Sequence, residues 1–294
     1  MIDKERYKKI FGEDFEKVFQ QKDFFWQVRA NTLKATVENI EKRFKEKNYQ
    51  IERIPWMKEG FWIKAEENLS KTIEHILGYF FIQNSSSMIP PMILDPKPGE
   101  IVLDLCASPG GKTTQMAAAM QNTGLVIAND ITYKRLKALR GNLQRCGVLN
   151  SAVTKMFGEN FWKTELKFSK ILLDAPCTGT GTLNPRILQQ TSLSSIRMLS
   201  KIQKRLLVSA GKCLEESGTL TYSTCSLEPE ENEENIDFAV NELGMTTEKI
   251  EANFPFIPAI AEWDGKRYDD SVANGMRVTP SEKTEGFFVC RLIK

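Results

Sequence analysis

Two cysteines, Cys177 and Cys225, each follow a short apolar segment and lie in chemically unusual strings. Cys177 closes the string DAPC, and Cys225 lies within STCS. A thiol at the end of a strand, exposed in a cleft, becomes a nucleophile when its pKa is lowered. The usual alternative is a buried and inert cysteine, which we expect for those in helical or strand core patterns: Cys146, Cys213 and Cys290.

A second chemical signal is the string DLCASPGGKTT, which begins at Asp104. Gly110 and Gly111 let the backbone approach a ligand closely, and the N-terminus of the next helix favours a carboxylate or phosphate. A GxxxxGK[ST] phosphate loop would need glycine where Cys106 stands, and a GxGxxG loop is absent. A methyl-donor site remains, with Asp130 placed to bind ribose hydroxyls. The alternative is that the glycines only make a tight turn.

The composition places these residues in a globular chain. It has 294 residues, of which 41% are hydrophobic and 27% charged, so we expect one main domain and a smaller extension. A charged start and the absence of a long apolar run argue against a signal peptide or membrane span. Six unevenly spaced cysteines, no CxxC pair and a single histidine, His75, argue against a disulfide framework and a metal site. Free thiols favour the cytoplasm.

Charge is unevenly distributed along a chain whose net charge is only +2. Residues 131–158 and 175–212 contain lysine and arginine but no acidic residue, whereas an acidic cluster follows Cys225. A locally basic face suits a polyanionic partner such as RNA, although charge runs are usually solvated faces. The basic residues are Lys134, Arg135, Lys137, Arg140, Arg145, Lys155, Arg186, Arg197, Lys201, Lys204, Arg205 and Lys212, and the acidic cluster is Glu228, Glu230, Glu231, Glu233 and Glu234.

The elements that position these residues fall into two parts. Residues 1–82 predict a small αβ extension, with helices near 3–20, 36–47 and 70–79 and strands near 26–34, YQIERI and GFWIK. It could dock RNA or only pack on the core. Its aromatic residues favour the core over stacking on bases: Phe24, Phe25, Trp26, Trp56, Phe61 and Trp62.

Residues 83–294 predict a doubly wound, mostly parallel α/β sheet. IVLDLC, LVIAND, SAVTK, KILLDAPC and GTLTYSTC have the pattern of strands buried on both faces, and helices separate them. The helix from about Ser194 to Leu214 carries one apolar stripe, and the late strand GFFVCRLI could pair antiparallel at the sheet edge. Ligands bind such sheets at the carboxyl ends of the strands, where the motifs above fall.

Five strings resemble the Nol/Nop/Sun family of RNA cytosine-5 methyltransferases, in particular the compact archaeal-type members that modify tRNA. They are EHILGYFFIQNSSSMIPPMILDPKPGE, VLDLCASPGGKTTQMA, IANDITYKRLKALRGNLQRCGV, LLDAPCTGTG and TLTYSTCSLEPEENE. The match runs from about residue 70 to the end of the chain, closing with RVTP and EGFF. The resemblance implies a class I S-adenosylmethionine-dependent fold with an N-terminal extension, and a cytoplasmic monomer that acts on RNA without a metal.

The resemblance also implies roles for individual residues. Cys225 attacks carbon 6 of cytosine, which makes carbon 5 nucleophilic, and Cys177 helps to release the product. Asp174 contacts the base near ring nitrogen 3, where a carboxyl with a raised pKa could neutralise developing charge, and also lies near the donor. Lys112 faces the substrate as well as the donor. The residues implied to hold S-adenosylmethionine are Cys106, Ala107, Ser108, Pro109, Gly110, Gly111, Lys112, Asp130, Arg135 and Asp174.

The sequence departs from the family pattern in three places. Phe157-Gly158-Glu159 stands where an aspartate usually precedes a small residue, which leaves Glu159 or Asn160 to replace the acid on the adenine side. The string after Cys177 reads TGTG rather than SGEG, so Thr180 replaces an acid. Glu285 replaces an aspartate before GFF.

Several alternatives remain open from the sequence. The RNA could be rRNA rather than tRNA, and in a related enzyme acting on DNA Cys177 would be the nucleophile. A non-catalytic RNA-binding assembly factor could keep the fold, although the intact Cys177, Cys225, Asp174 and glycine loop count against it. A Cys-His dyad is disfavoured, because His75 lies far upstream in a predicted helix, where a structural role is expected.

Overall fold

The computed structural model describes residues 4–19 and 25–294. The first helix predicted near 3–20 is instead two short helices, α1 (Lys4–Phe11) and α2 (Phe15–Phe19), separated by a 3-10 turn at Gly12–Asp14. Residues 3 and 20 of that prediction, together with Phe24, lie outside the described residues.

The described part of the N-terminal extension is built around a four-stranded sheet in the order β2-β3-β1-β4, with antiparallel neighbours. Its core confirms the preference for packing over stacking on bases, because Trp56, Phe61 and Trp62 are buried. Phe25 and Trp26 are half-buried. The elements are β1 (Trp26–Ala30), α3 (Val37–Glu46), β2 (Gln50–Arg53), β3 (Gly60–Lys64), α4 (Ile73–Ile76) and β4 (Phe80–Ile82).

Two predicted elements of this extension are shorter than expected. The strand predicted near 26–34 ends at Ala30, because Asn31 turns to bind the carbonyls of Gly78 and Cys146. The helix predicted near 70–79 is reduced to α4, since Gly78 has a left-handed backbone (φ +75°) and the chain then enters β4.

The remainder of the chain forms a nine-stranded sheet whose main path is β11-β14-β15-β9-β8-β5-β6-β7, with β10 also paired to β15. Strands β7, β6, β5, β8 and β9 are parallel, and β15 pairs antiparallel with β9, as predicted. The strands of this sheet are β5 (Ile101–Asp104), β6 (Leu125–Asp130), β7 (Ser151–Lys155), β8 (Phe168–Asp174), β9 (Leu214–Thr224), β10 (Thr246–Glu248), β11 (Ile257–Pro258), β14 (Met276–Val278) and β15 (Phe287–Ile293). Strands β12 (Glu262–Trp263) and β13 (Lys266–Arg267) form a separate antiparallel pair.

Helices cover both faces of this sheet, which confirms the doubly wound α/β prediction. One departure is β7, which lies at the edge of the sheet and is half-exposed rather than buried on both faces. The helices are α5 (Ile89–Leu94), α6 (Gly111–Ala119), α7 (Tyr133–Cys146), α8 (Pro185–Gln190), α9 (Leu193–Cys213) and α10 (Glu233–Leu243).

Helix α9 confirms the apolar stripe read from the sequence. Ile196, Leu206 and Cys213 are buried, whereas Leu199 and Ile202 are half-buried. The helix begins with a capping box, in which Ser192 and Ser195 satisfy each other's backbone amides. This capped start defines where α9 begins, after the short helix α8.

No helix in the described part of the chain is long and apolar enough to cross a membrane.

Candidate active site

The sequence motifs meet at the carboxyl edge of the parallel strands. Strands β8 and β9 are neighbours, with Asp174 directly opposite Ser223 in their register. Because both strands leave the sheet at the same edge, Cys177 and Cys225 emerge side by side although 48 residues separate them. The adjacent β5 brings the glycine loop to the same edge.

The two cysteine sulfurs lie 3.2 Å apart, and both thiols are free. Cys225 lines a cavity of about 310 Å³ that also borders the glycine loop, whereas Cys177 is not among the described residues that line it. This arrangement gives Cys225 the direct approach to a molecule in the cavity.

The surroundings of Cys177 keep its proton in place. The hydrogen bond with Cys225, burial and the nearby charges of Glu231 and Asp174 raise the pKa of Cys177 well above its ordinary value. A thiol with a raised pKa is a poor source of thiolate at neutral pH. Cys146, Cys213 and Cys290 are buried in the core, as the sequence predicted.

An ion pair lines the same cavity as Cys225. The Lys112 Nζ donates to Asp174 Oδ2 at 2.8 Å and to Ser87 Oγ at 2.7 Å. The other oxygen of Asp174 accepts from Ser223 Oγ at 2.9 Å. Lys112 therefore joins the N-terminal turn of α6 to the end of β8, with both polar groups pointing toward one cavity.

Gly110 is required by the shape of the glycine loop. Its φ of +103° lies in the left-handed region, and a Cβ there would stand 2.9 Å from Leu139 Cδ1. The loop passes directly from this glycine, which is the N-cap, into α6. The left-handed backbone of Gly110 makes the turn from β5 into α6, and Gly111 and Lys112 line the cavity beside it.

Asp104, which sequence reasoning did not select, is a further candidate for donor binding. Its side chain is buried; Oδ2 accepts from Thr113 Oγ1 at 2.7 Å, but Oδ1 has no hydrogen-bond partner. Burial is the main cause that raises the pKa of Asp104 to about 7. A buried carboxylate oxygen without a donor, at the wall of the cavity, fits the ammonium group of S-adenosylmethionine. The signal in the sequence is its place at the end of β5, as the first residue of DLCASPGGKTT.

Asp130 ends β6 and organises the loop from the other side. Its carboxylate accepts from the Ser108 amide at 3.0 Å, the Ile131 amide at 2.7 Å and Arg135 Nε at 2.8 Å. Arg135 also donates to the Ser108 carbonyl at 3.0 Å. Asp130 and Arg135 thus fix the shape of the loop, and Asp130 keeps lone pairs for a ligand hydroxyl.

A second cavity of about 160 Å³ also borders Cys106. Its lining includes Asp130, Ile131, Glu159, Pro176 and Ile202. Of the two candidates for the adenine-side acid, Glu159 lies at this cavity, with its carboxylate held by Arg205 Nε at 2.7 Å. The two cavities together provide two compartments around the glycine loop, and the lining of the second is the more apolar.

Most residues implied by the sequence resemblance therefore lie around these cavities. Two regions that sequence reasoning did not select also contribute: the end of β4 with its following loop, and the segment before β15. Their lining residues are Phe81, Ile82, Gln83, Asn84, Ser87, Glu285 and Phe287, beside Cys106, Ala107, Ser108, Pro109, Gly111, Lys112, Asp174 and Cys225 of the prediction.

The N-terminal extension is tied to the glycine loop by Arg29. This buried guanidinium donates to Gln83 Oε1 at 2.9 Å, to Thr114 Oγ1 at 2.8 Å and to the Gly111 carbonyl at 3.2 Å. Burial lowers the pKa of Arg29 to about 10. The extension thus packs on the core and also supplies part of the cavity wall through β4.

The basic stretches do not form one face. Helix α7 packs on one face of the sheet with Ala128, and α9 packs on the other with Leu173. Each follows a parallel strand, so both begin at the carboxyl edge, on either side of the site. Among the predicted basic residues, Lys134, Lys137, Arg197 and Lys201 are exposed near these starts, whereas Lys204 pairs with Glu234.

His75 lies in α4, where its ring packs 5.6 Å from that of Phe80 in the N-terminal extension. Burial lowers the pKa of His75. This position fits the structural role expected from the sequence.

Family models match both parts of the chain. The model of 16S rRNA methyltransferase RsmB/F matches residues 91–293, and that of the N-terminal domain of 16S rRNA methyltransferase RsmF matches residues 4–85.

Two relatives and one solved structure illustrate the similarity. A tRNA (cytosine(49)-C(5))-methyltransferase from Pyrococcus abyssi is 40% identical, over 99% of this chain and 94% of its own length. Ribosomal RNA small subunit methyltransferase F from Vibrio cholerae is 43% identical over 70% of this chain, which spans only 46% of that relative. NSun6 from Pyrococcus horikoshii, solved with the S-adenosylmethionine analogue SFG, is 25% identical, with a TM-score of 0.87 over 99% of this chain and 97% of its own.

Proposed function

Because the chain belongs to the RsmB/F (Nol1/Nop2/Sun) family of RNA methyltransferases, we propose that it methylates carbon 5 of a cytosine in RNA. The observation that carries this proposal is the pair of cysteine sulfurs 3.2 Å apart beside the glycine loop. S-adenosylmethionine, the methyl donor of the family, supplies an electrophilic methyl group from its sulfonium.

Cys225 is the proposed nucleophile. Carbon 5 of cytosine is a poor nucleophile, and addition of the Cys225 thiolate to carbon 6 forms a carbon–sulfur bond that makes carbon 5 enamine-like. Carbon 5 then takes the methyl group from the donor sulfonium, whose sulfur–methyl bond breaks to leave a neutral thioether. Loss of the carbon 5 proton to water returns the electron pair to the ring, and the bond between carbon 6 and the Cys225 sulfur breaks to release the thiolate. The position of Cys225 on the cavity wall supports this role.

Cys177 and the Asp174–Lys112 pair have supporting roles in this proposal. Cys177 retains its proton because its pKa is raised, so it does not compete as nucleophile and lies ready beside Cys225 for the release step. Asp174 and Lys112 lie at the cavity, where they can hold the base edge near ring nitrogen 3 and balance charge that develops on the ring.

The donor is held by the two compartments around the glycine loop. Asp104 binds the ammonium group, and the backbone from Cys106 to Lys112 surrounds the methionine part, where the first turn of α6 favours its carboxylate. Asp130 binds the ribose hydroxyls, with Arg135 holding it in place, and Glu159 lies on the adenine side.

Transfer RNA is the proposed substrate, because the relative that matches nearly the whole chain is named for tRNA. Ribosomal RNA is the second candidate, since the RsmB/F models are named for 16S rRNA. The N-terminal extension, residues 1–82, would help to dock the RNA, as β4 already reaches the cavity. The free thiols and an RNA substrate favour the cytoplasm, and the protein would act as a monomer.

The test is a denaturing gel of wild-type and variant protein with RNA and S-adenosylmethionine. Cys225→Ala should lose both turnover and any covalent complex, whereas Cys177→Ala should stall as an adduct that survives denaturation. Buried Cys213→Ala is the matched control and should behave as wild type. An adduct in Cys225→Ala but not in Cys177→Ala would overturn the assignment of the nucleophile.

The choice of nucleic acid is tested with the same proteins. Unmodified tRNA transcripts should accept labelled methyl groups faster than 16S rRNA fragments, and cytosine DNA oligonucleotides should accept none. Donor binding without transfer to any of these would instead support a non-catalytic RNA-binding factor.

A further inference from the structure

One buried carboxylate links the two segments that follow the cysteines. Glu231 Oε2 accepts from the Thr178 amide at 3.0 Å, and Oε1 accepts from the Thr178 hydroxyl and from Ser226 Oγ at 2.7 Å. Thr178 directly follows Cys177, and Ser226 directly follows Cys225. A single side chain thus touches the next residue after each cysteine.

The peptide groups on both sides of Cys177 are fixed by the same network. Gln203 Nε2 donates to the Pro176 carbonyl and to Glu231 Oε2, each at 2.8 Å. Gln203 is itself oriented by Asn235, whose Nδ2 donates to its Oε1 at 2.8 Å. Because Pro176 and Thr178 flank Cys177, this network leaves the cysteine backbone little freedom to move away from Cys225.

Glu231 differs from the two other fully buried carboxylates of its segment. Glu228 pairs with Arg6, and Glu233 pairs with Arg277. Glu231 is also 0% exposed, yet among the described residues its partners are hydroxyl, amide and backbone N–H groups, with no lysine or arginine in an ion pair. Burying a charge without a countercharge costs folding free energy. A carboxylate at this position therefore indicates a functional role for Glu231.

We propose that Glu231 is a positioning residue, whose buried carboxylate bridges the segments after Cys177 and Cys225 and holds the two sulfurs against each other. The proposal rests on the proposed roles of the two cysteines.

The electrostatic effect agrees with this geometry. The charged or titratable groups that act on Cys177 are Cys225, Glu231 and Asp174, and all of them raise the pKa of Cys177. Removing the Glu231 charge should therefore lower that pKa. Burial raises the pKa of Glu231 itself, while its hydrogen bonds oppose the rise, so the bridge weakens as Glu231 becomes protonated at acid pH.

Two substitutions separate the effect of the charge of Glu231 from the effect of its side-chain length. Glu231→Gln removes the charge, whereas Glu231→Asp retains it on a side chain too short to touch both segments. Glu242→Gln, on the exposed side of α10, is the matched control. The first readout needs no RNA: the pH midpoint of iodoacetamide labelling of Cys177, measured by peptide mass spectrometry.

In Glu231→Gln the labelling midpoint of Cys177 should fall by roughly one pH unit, as expected for removal of a nearby negative charge. In Glu231→Asp it should stay closer to wild type. Folded Glu231→Gln protein with the wild-type midpoint would overturn the proposal, because a merely structural carboxylate would leave the titration of Cys177 unchanged.

The second readout is turnover on tRNA. Both Glu231 variants should lower kcat by about tenfold to a hundredfold, through misplacement of the sulfurs, with little change in the KM for RNA. Ser226→Ala removes the arm to the Cys225 segment, and Thr178→Ala removes the hydroxyl contact while its backbone amide still donates to Glu231. Both variants keep the buried carboxylate, so they test the idea if Glu231→Gln does not fold. Wild-type kcat in both would overturn it. If the wild-type protein methylates no RNA, the proposed function is refuted. The labelling midpoint of Cys177 would still test the positioning role of Glu231.

Discussion

Asp104 should make donor binding depend on pH. With a pKa of about 7 in the free protein, its carboxylate is half protonated near neutrality. An ammonium group favours the ionised carboxylate, so binding of S-adenosylmethionine should weaken below pH 7. The donor's own α-amino group loses its proton above about pH 8, which weakens binding on the alkaline side. The affinity should therefore peak between pH 7 and 8.

The loss of donor affinity below pH 7, here called the acid limb, follows from the titration of Asp104. If only the ionised carboxylate binds, the ionised fraction falls about 25-fold between pH 7.5 and 5.5, and affinity falls with it. Raising the pKa of Asp104 from 3.8 to about 7 corresponds to a free-energy cost of about 4 kcal/mol for the ionised form. A charge-assisted hydrogen bond to the ammonium recovers about 1.5–3 kcal/mol of this.

Stability should show the opposite dependence. The pKa of Asp104 is raised in the folded state, so its contribution to stability is fully present below the unfolded pKa near 4 and is lost as pH rises through about 7. Donor binding opposes that loss. The rise in Tm produced by saturating S-adenosylmethionine should therefore be larger at pH 7.5 than at pH 5.5.

The assay is isothermal titration calorimetry between pH 5.5 and 8.5 with wild type and Asp104→Asn. The variant should bind about tenfold to a hundredfold more weakly at pH 7.5 and lose the acid limb, while it keeps the alkaline limb. Asp95→Asn controls for loss of an exposed carboxylate, and its left-handed backbone (φ +50°) accepts asparagine.

A second carboxyl at the same cavity, that of Glu285, could also contribute to the pH dependence of donor binding. Burial also raises the pKa of Glu285, so Glu285→Gln shows whether this residue contributes to the acid limb. An acid limb of wild-type slope in Asp104→Asn would refute the assignment of the ammonium group to Asp104, as would a flat wild-type profile.

Two further predictions concern the donor and the RNA. Asp130→Ala should raise the dissociation constant for S-adenosylmethionine about tenfold to a hundredfold, because it removes a ribose contact and leaves Arg135 without its partner; calorimetry with unchanged affinity would exclude Asp130 from the site. Replacing the exposed Lys134, Lys137 and Lys201 by alanine should flatten the salt dependence of RNA binding without changing donor affinity, and an identical slope in filter binding would mean that these charges are only solvated.

The parallel sheet and its ligand edge were predictable because their signals are local. Local patterns predict β5, α6 and α9: an apolar run, the glycines between strand and helix, and an amphipathic period. Because parallel strands end at the same edge of the sheet, the motifs that follow them meet there. The match to the RsmB/F family confirms the resemblance stated from the sequence. The boundaries of the elements in the N-terminal extension were less predictable, since β1 ends where Asn31 binds the carbonyls of Gly78 and Cys146, which are distant in sequence.

The basic stretches show a limit of charge patterning. Both helices are basic in sequence, but sheet topology places α7 and α9 on opposite faces. The sequence alone gives the charge of a helix but not the face of the sheet on which the helix packs. The prediction of one basic face was therefore wrong. What remains of the prediction is the start of each helix, where both approach the carboxyl edge.

The acidic cluster after Cys225 shows the same limit at the level of single residues. As a run of glutamates it has the pattern of a solvated surface, yet Glu228, Glu231 and Glu233 are all 0% exposed. Their partners come from the N-terminal helix, from the segment after Cys177 and from β14, between 44 and 222 residues away. Two of these carboxylates have an arginine, which balances the cost of burial. The third, Glu231, has no arginine partner, and it is the one that touches the segments after both cysteines. The free-energy cost of burying its charge is therefore borne beside the two thiols, where a fixed negative charge can act on their chemistry.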